Sequence, residues 1–197
     1  MSIIALAGSP SPRSRSSALL RYAIQRLRSR GLGVVELGLR DIPAEALIEG
    51  HYSGAGATAL RARVAAADAV LISTPVYKAS FSGALKTVLD LLDEKAFAGK
   101  TLLPIASGGS PAHLLALEYG LKPVLSALGA RHILTGVYAT DKQVRVDDDS
   151  SVHIDEEVRG RLAESVDRLA EQVLPRGAMA HEAYDLGRLA LAGGFSV

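Results

Sequence analysis

Cysteine and tryptophan are both absent from this 197-residue chain. Without cysteine there is no disulfide, no thiolate metal site and no cysteine nucleophile. The cytoplasm is the expected compartment, although lack of cysteine alone does not establish it. Aromatic residues make up only 5% of the chain, which gives no support to a broad base-stacking platform for nucleic acid. An excess of one charge is missing too: 22 basic and 21 acidic side chains leave a net +1. Neither nucleic acid nor a membrane surface is therefore an expected partner. No apolar run approaches the ~18 residues that a membrane span requires. The N-terminal MSIIALAGSPSPR is apolar at once and has no basic leader, so it is not expected to be a signal peptide. The five histidines show no ligand spacing, and His181-Glu182 lacks the second histidine of a zinc helix. No metal site is expected. The G-x-S-x-G elbow of a hydrolase is absent as well.

What is present reads as one domain. Hydrophobic residues at 48% and charged residues at 22% are ordinary for a globular protein. Residues 3–7, 34–39, 69–73, 101–106 and 132–137 form five short apolar runs. Runs that are apolar on both faces suit strands buried between helix layers. Helical spacing is expected between them, from Ser16 or Ser17 as the cap to Gly31, and then over residues 58–67, 82–92 and 112–128. A further amphipathic helix is expected over 155–173. Residues 40–54 read as irregular and 139–153 as a polar loop, with Asp147-Asp148-Asp149 solvated. Gly54-Ala55-Gly56-Ala57-Thr58-Ala59 fits a loose G-x-G-x-x-A pattern, but no strand precedes it, so it reads as a loop entering a helix. Alternating strands and helices predict an α/β fold with a parallel sheet covered on both faces. The size matches a flavodoxin-like doubly wound five-stranded sheet of order 2-1-3-4-5. Residues 1–174 form the expected domain, and 175–197 a tail with weak helical character around 180–191.

Ligands of open α/β sheets bind beyond the carboxyl ends of the strands. Three loops at that edge carry unusual residues. GSPSPRSRSS, residues 8–17, supplies hydroxyls and two arginines at a helix start. Free N–H groups, the helix dipole and charge-assisted bonds all favour a phosphate there. The bland alternative is a polar turn with a serine cap. STPVYKASFSGALK, residues 73–86, offers the rigid Pro75 and the flat, amphipathic Tyr77. Taken alone, it reads better as a loop that caps the sheet, with Tyr77 as surface packing. ASGGSPAH, residues 106–113, lets a flat ligand approach the backbone at two glycines. A tight turn with a helix start would look the same, and His113 reads as a polar helix-start residue.

Together these loops resemble the NADPH-dependent FMN reductase family, most of all the alkanesulfonate-utilisation FMN reductases of two-component monooxygenase systems. LAGSPSPRSRSSALL, STPVYKASFSGALKTVLDLL and PIASGGSPAHLLALEYGLKPVLSALGA carry the resemblance, which runs to about residue 138. It implies that Ser9, Arg15, Ser16 and Ser17 hold the FMN phosphate. Pro75, Val76 and Tyr77 then line the isoalloxazine on one side, and Gly108, Gly109 and Ser110 approach it on the other. It further implies that Tyr119, in HLLALEYGLKPVL, marks an inserted residue that opens a π-bulge at a tetramer interface. Local chemistry points the same way: Pro123 has no N–H for the Tyr119 carbonyl, and Gly120 is a poor helix former. A simple proline kink is the competing outcome.

The implied enzyme is an NAD(P)H:flavin oxidoreductase that moves a hydride from nicotinamide to FMN. It would pass reduced flavin to a monooxygenase partner in sulfonate metabolism. The cofactors, FMN and NADPH with NADH possible, supply that chemistry, so no side chain is named as catalytic. Arg13, Arg15 and Lys78 are candidates for the NADPH phosphates on charge alone. A homo-oligomer, a dimer or tetramer, is expected. The competing readings are an FMN-containing quinone, azo or chromate reductase, a flavodoxin electron carrier, and a nucleotide-binding regulator without turnover. A carrier would usually be strongly acidic, which this chain is not.

Overall fold

The computed structural model describes residues 1–11 and 13–174. The expected tail, 175–197, lies outside the described residues. In chain order the elements are β1 (Ser2–Ala7), α1 (Arg15–Ser29), β2 (Gly33–Gly38), α2 (Ala44–Glu49), α3 (Ala55–Ala65), β3 (Ala69–Tyr77), β4 (Ser80–Phe81) and α4 (Gly83–Asp90). They continue with β5 (Thr101–Gly108), a 3₁₀ turn (Pro111–Leu114), a π-helical segment (Ala116–Leu121), α5 (Lys122–Ala127), β6 (His132–Ile133), β7 (Val137–Thr140), β8 (Val144–Val146), β9 (Val152–Ile154) and α6 (Glu156–Val173).

The result is an α/β fold around a mostly parallel sheet. The sheet has seven strands, with the path β2-β1-β3-β5-β6; β7 also pairs with β5, and β4 pairs antiparallel with β3. Side-chain alternation along the strands divides the core in two. Ile3, Ala5, Leu71, Leu103 and Ile105 face α1 and α6. Ile4, Leu6, Val70, Ile72 and Leu102 face the helices of the other layer. This two-sided burial explains why the strands read as unbroken apolar runs. Among the described residues no helix is long and apolar enough to cross a membrane.

Several expectations are corrected. The fifth strand is divided into β6 and β7, and the division lies opposite Pro104: β6 pairs with Thr101 and Leu102, β7 with Ile105 to Gly108. Proline has no N–H for the ladder. Gly136, between the two pieces, lies so close to Pro104 that an added Cβ would stand 3.2 Å from its ring and carbonyl. Residues 40–54 contain the short helix α2, and residues 144–154, mostly within the expected loop 139–153, form the antiparallel ribbon β8–β9. The strand expected over 69–73 continues as β3 to Tyr77. Its end is paired on both sides, Pro75 with Ser107 and Val76 with Phe81.

The single long helix expected over 112–128 is three pieces. A 3₁₀ turn starts at Pro111, π-helical geometry follows, and α5 completes the run. The π register is explicit, since the Lys122 N–H donates to the Leu117 carbonyl, a step of five residues.

Candidate functional site

The first loop is fixed by a close approach and a cap. Gly8 donates its N–H to the Ser73 carbonyl at 2.8 Å. A Cβ on Gly8 would stand 2.7 Å from that carbonyl and 2.8 Å from the Leu85 Cβ, so only glycine fits. The Gly8 carbonyl accepts from the Ser82 hydroxyl, and the Ser82 N–H donates to the Thr74 hydroxyl at 2.9 Å. Ser82 also caps α4 by accepting from the Leu85 N–H. One buried serine thus ties the first loop to the second.

Helix α1 is capped by Ser14, not by Ser16 or Ser17 as expected. Ser14 is extended, with φ −89° and ψ 134°, and its hydroxyl accepts from the Ser17 N–H. Such a cap stabilises a helix by about 1 kcal/mol. Ser16 is fully buried behind it, its Oγ 2.8 Å from that of Ser14. Ser17 is 7% exposed. Ser9 accepts from the Ser11 N–H at 3.2 Å and braces the turn.

At the second loop, Lys78 and Ala79 have φ of 50° and 63°, the left-handed pair of a tight hairpin turn. That turn leaves Tyr77 half exposed at the tip of β3. At the third loop, Gly108 is crowded: a Cβ there would lie 2.6 Å from the Tyr138 hydroxyl. Gly109 is open, its nearest neighbour being the Asp141 Oδ2 at 3.8 Å. The Tyr138 hydroxyl donates to the Ser110 carbonyl at 2.7 Å and holds the loop. Burial pushes the Tyr138 phenol above its ordinary pKa, and the Asp141 charge adds to the rise. Ser110 caps the following 3₁₀ turn, its hydroxyl accepting from the Ala112 N–H.

These loops converge on one pocket of about 190 Å³ at the carboxyl edge of the sheet. Of the expected site residues, Arg15, Pro75, Val76, Tyr77, Gly108 and Gly109 line it, joined by Ser11, Arg13, Ser14, Ser107 and Asp141. Ser9, Ser16, Ser17 and Ser110 are not in this lining; Ser9 braces the turn and Ser110 caps the 3₁₀ turn. Tyr119 is not in the pocket; it lies on the π-helical segment and is 79% exposed. That segment packs on the β4 hairpin, where a Cβ on Gly120 would lie 3.7 Å from the Ser80 hydroxyl.

Both loop arginines are already engaged. Arg13 pairs with Asp148 at 2.8 Å. The Arg15 Nε donates to the Val144 carbonyl at 3.0 Å, and its Nη1 lies 3.6 Å from Asp141. Sequence reading counted the Ser14 hydroxyl among the loop donors but missed its role as the cap, and it missed Ser82, Tyr138 and Asp141. Ser14 was discoverable as a hydroxyl just before the helical run. Nothing local in the sequence marks Asp141, because chain-distant pairing of β7 with β5 brings it to the site.

Residues 1–145 match the NADPH-dependent FMN reductase family. An FMN reductase (NADPH) of Pseudomonas putida KT2440 is 54% identical over 144 residues, 73% of either chain. The FMN reductase (NADPH) of Escherichia coli K12 is 49% identical over 144 residues, 73% of this chain and 75% of the relative. Among solved structures, the apo form of the NADH:FMN oxidoreductase EMOB is 33% identical. It superposes with a TM-score of 0.78 over 95% of this chain and 98% of its own. The chain therefore belongs to the NADPH-dependent FMN reductase family and is an oxidoreductase.

Proposed function

We propose that this protein reduces FMN as a diffusible substrate, using NADPH or NADH, and supplies the reduced flavin to a flavin-dependent monooxygenase in sulfonate or sulfur metabolism. The observation that carries the reading is the meeting of three loops in one pocket at the carboxyl edge of the sheet. We read β2-β1-β3-β5-β6 as the flavodoxin-like order 2-1-3-4-5, with β6 and β7 as one interrupted strand. Residues 1–174 are the proposed domain, and the cytoplasm is the proposed compartment. The sulfonate link and the oligomer rest on the resemblance around Tyr119, which we assign to a subunit interface that eases flavin release.

The donor set fits FMN. Hydroxyls at Ser11 and Ser14, the start of the 15-residue helix α1, and Arg15 suit a phosphate. The open face of Gly109 and the half-exposed Tyr77 suit the edge and face of a flat ring. A pocket of about 190 Å³ is smaller than the ~300 Å³ at which ligand pockets begin. A pocket of that size would seat the phosphate end, and the ring would then lie near the surface with room for nicotinamide. Bound flavin supplies the hydride-accepting ring, and the protein supplies alignment. The Gly109 and Ser110 backbone, pinned by Tyr138, can face the developing negative charge on the ring.

The test follows NADPH and NADH oxidation with FMN, FAD and riboflavin as acceptors, together with the flavin content of the purified protein. FMN is expected to be the best acceptor and to bind more tightly than riboflavin. Arg15→Ala with Ser11→Ala should remove most of that preference. The protein should purify mostly without flavin. Equal affinity for FMN and riboflavin would end the phosphate assignment. Stoichiometric FMN in the purified protein, without turnover of free FMN, would make the chain a quinone, azo or chromate reductase with a resident flavin.

A further inference from the structure

A pocket that receives a phosphate is expected to carry net positive charge, yet this one holds a carboxylate. Asp141 lines it beside Arg13, Arg15 and Gly109. The placement is firm. Thr140 pairs with Gly108 at the end of β7, and the Asp141 N–H donates to the Gly108 carbonyl at 3.0 Å. The turn that follows is closed on itself, with the Thr140 N–H and hydroxyl both donating to the Gln143 side chain at 3.0 Å. Asp141 is therefore held against the loop that would carry the flavin ring. Its carboxylate stands 3.6 Å from the Arg15 Nη1. Asp148 sets a second carboxylate on Arg13, from the tip of the β8–β9 ribbon. Two cations meet two anions, so the phosphate loop as built is close to electroneutral.

We propose that Asp141 is an affinity- and specificity-setting residue, which holds Arg15 partly neutralised and so weakens binding of the phosphorylated flavin. This rests on the phosphate assignment made above. The physical basis is simple competition. A phosphate monoester carries close to two negative charges at neutral pH, and a fixed carboxylate within the same pocket repels it and shares its arginine. The repulsion acts on FMN and not on riboflavin, which has no phosphate. It also fits a flavin that must leave after reduction, since release has to keep pace with turnover. Asp148 acts in the same direction but less strongly, because its side chain is fully exposed and water screens it.

The experiment titrates the full-length protein with FMN and with riboflavin by flavin fluorescence, at about 0.01 M and about 1 M salt. Asp141→Asn keeps the side-chain shape and removes the charge. It is expected to tighten FMN roughly three- to tenfold at low salt, with most of that gain lost at high salt. Riboflavin affinity should not change, which also reports that the variant is folded. Asp148→Asn should show a smaller shift of the same sign. If unmodified protein prefers FMN but Asp141→Asn leaves that preference unchanged or lower, the inference is overturned while the phosphate site stands. If FMN and riboflavin weaken together, Asp141 holds the part common to both flavins, and the inference is overturned again. If the unmodified protein does not distinguish the two flavins, the phosphate assignment itself fails and takes the inference with it.

Discussion

Two glycines on the ligand edge carry opposite constraints. Gly8 is enclosed by backbone and by the rigid start of a leucine side chain, the Ser73 carbonyl and the Leu85 Cβ. Neither neighbour can give way without moving β3 or α4. Gly8→Ala should therefore destabilise the fold, by about 2 kcal/mol or more on the scale of overpacked cores. Gly109 has no such neighbour, the nearest atom being a carboxylate oxygen at 3.8 Å. Gly109→Ala should melt within a few degrees of the unmodified protein, yet place a methyl group where the flavin ring is proposed to approach. Thermal melts with paired FMN titrations check both outcomes. A stable Gly8→Ala would contradict the packing described here, and a Gly109→Ala that binds FMN normally would contradict the proposed ring site.

At the scale of elements, α1 and α6 share one face of the sheet and are clamped by ions. Arg26 meets Asp167 through two hydrogen bonds of 2.6 Å, and Arg30 adds a contact at 2.8 Å. The hydrogen bond from Arg26 holds the Asp167 carboxyl below its ordinary pKa, with the charges of Arg26 and Arg30 adding to it against the opposing effect of burial. A depressed folded-state value means that the stabilisation is complete above the ordinary aspartate pKa, ~3.9. It disappears as pH falls through the lower folded value. Asp167→Asn should then cost about 1 kcal/mol near neutral pH, the scale of a well-formed but partly exposed pair. The difference should vanish in acid, as denaturant melts from pH 7 downward would show.

The elements also divide by how readable they were. The strands and α1 were legible because burial on both faces leaves unbroken apolar runs and helical spacing is strong. The short helix α2 was not, since Pro43 and Gly50 bound only the six residues Ala44–Glu49, and so short a run shows little periodicity. The ribbon β8–β9 was lost for a different reason: its strands have three residues each and are mostly exposed or half-buried. The π-helical segment was anticipated from Pro123 and Gly120 together with the family resemblance. The pocket was legible as three loops, but not Asp141 within it, because no local pattern reports a contact made by pairing β7 with β5.

For the whole molecule, apolar side chains exposed near the pocket suggest how copies meet. Leu114, Leu115 and Tyr119 are 45%, 56% and 79% exposed. Leu115 and Tyr119 are four residues apart, so they share a helical face. The face adjoins the β4 hairpin, which carries Tyr77, also 50% exposed. Water-exposed large apolar groups grouped in this way mark an association surface more often than scattered ones do. A closed symmetric assembly is the commonest way for one chain to cover such a face. The hairpin residue Tyr77 also lines the pocket, so this surface and the pocket share a residue. Light scattering at micromolar concentration and above should therefore report a dimer or tetramer. Leu115→Glu should shift the assembly toward smaller species, because it sets a charge in the middle of that apolar face. A monomer at every concentration, with and without FMN, would contradict this association surface.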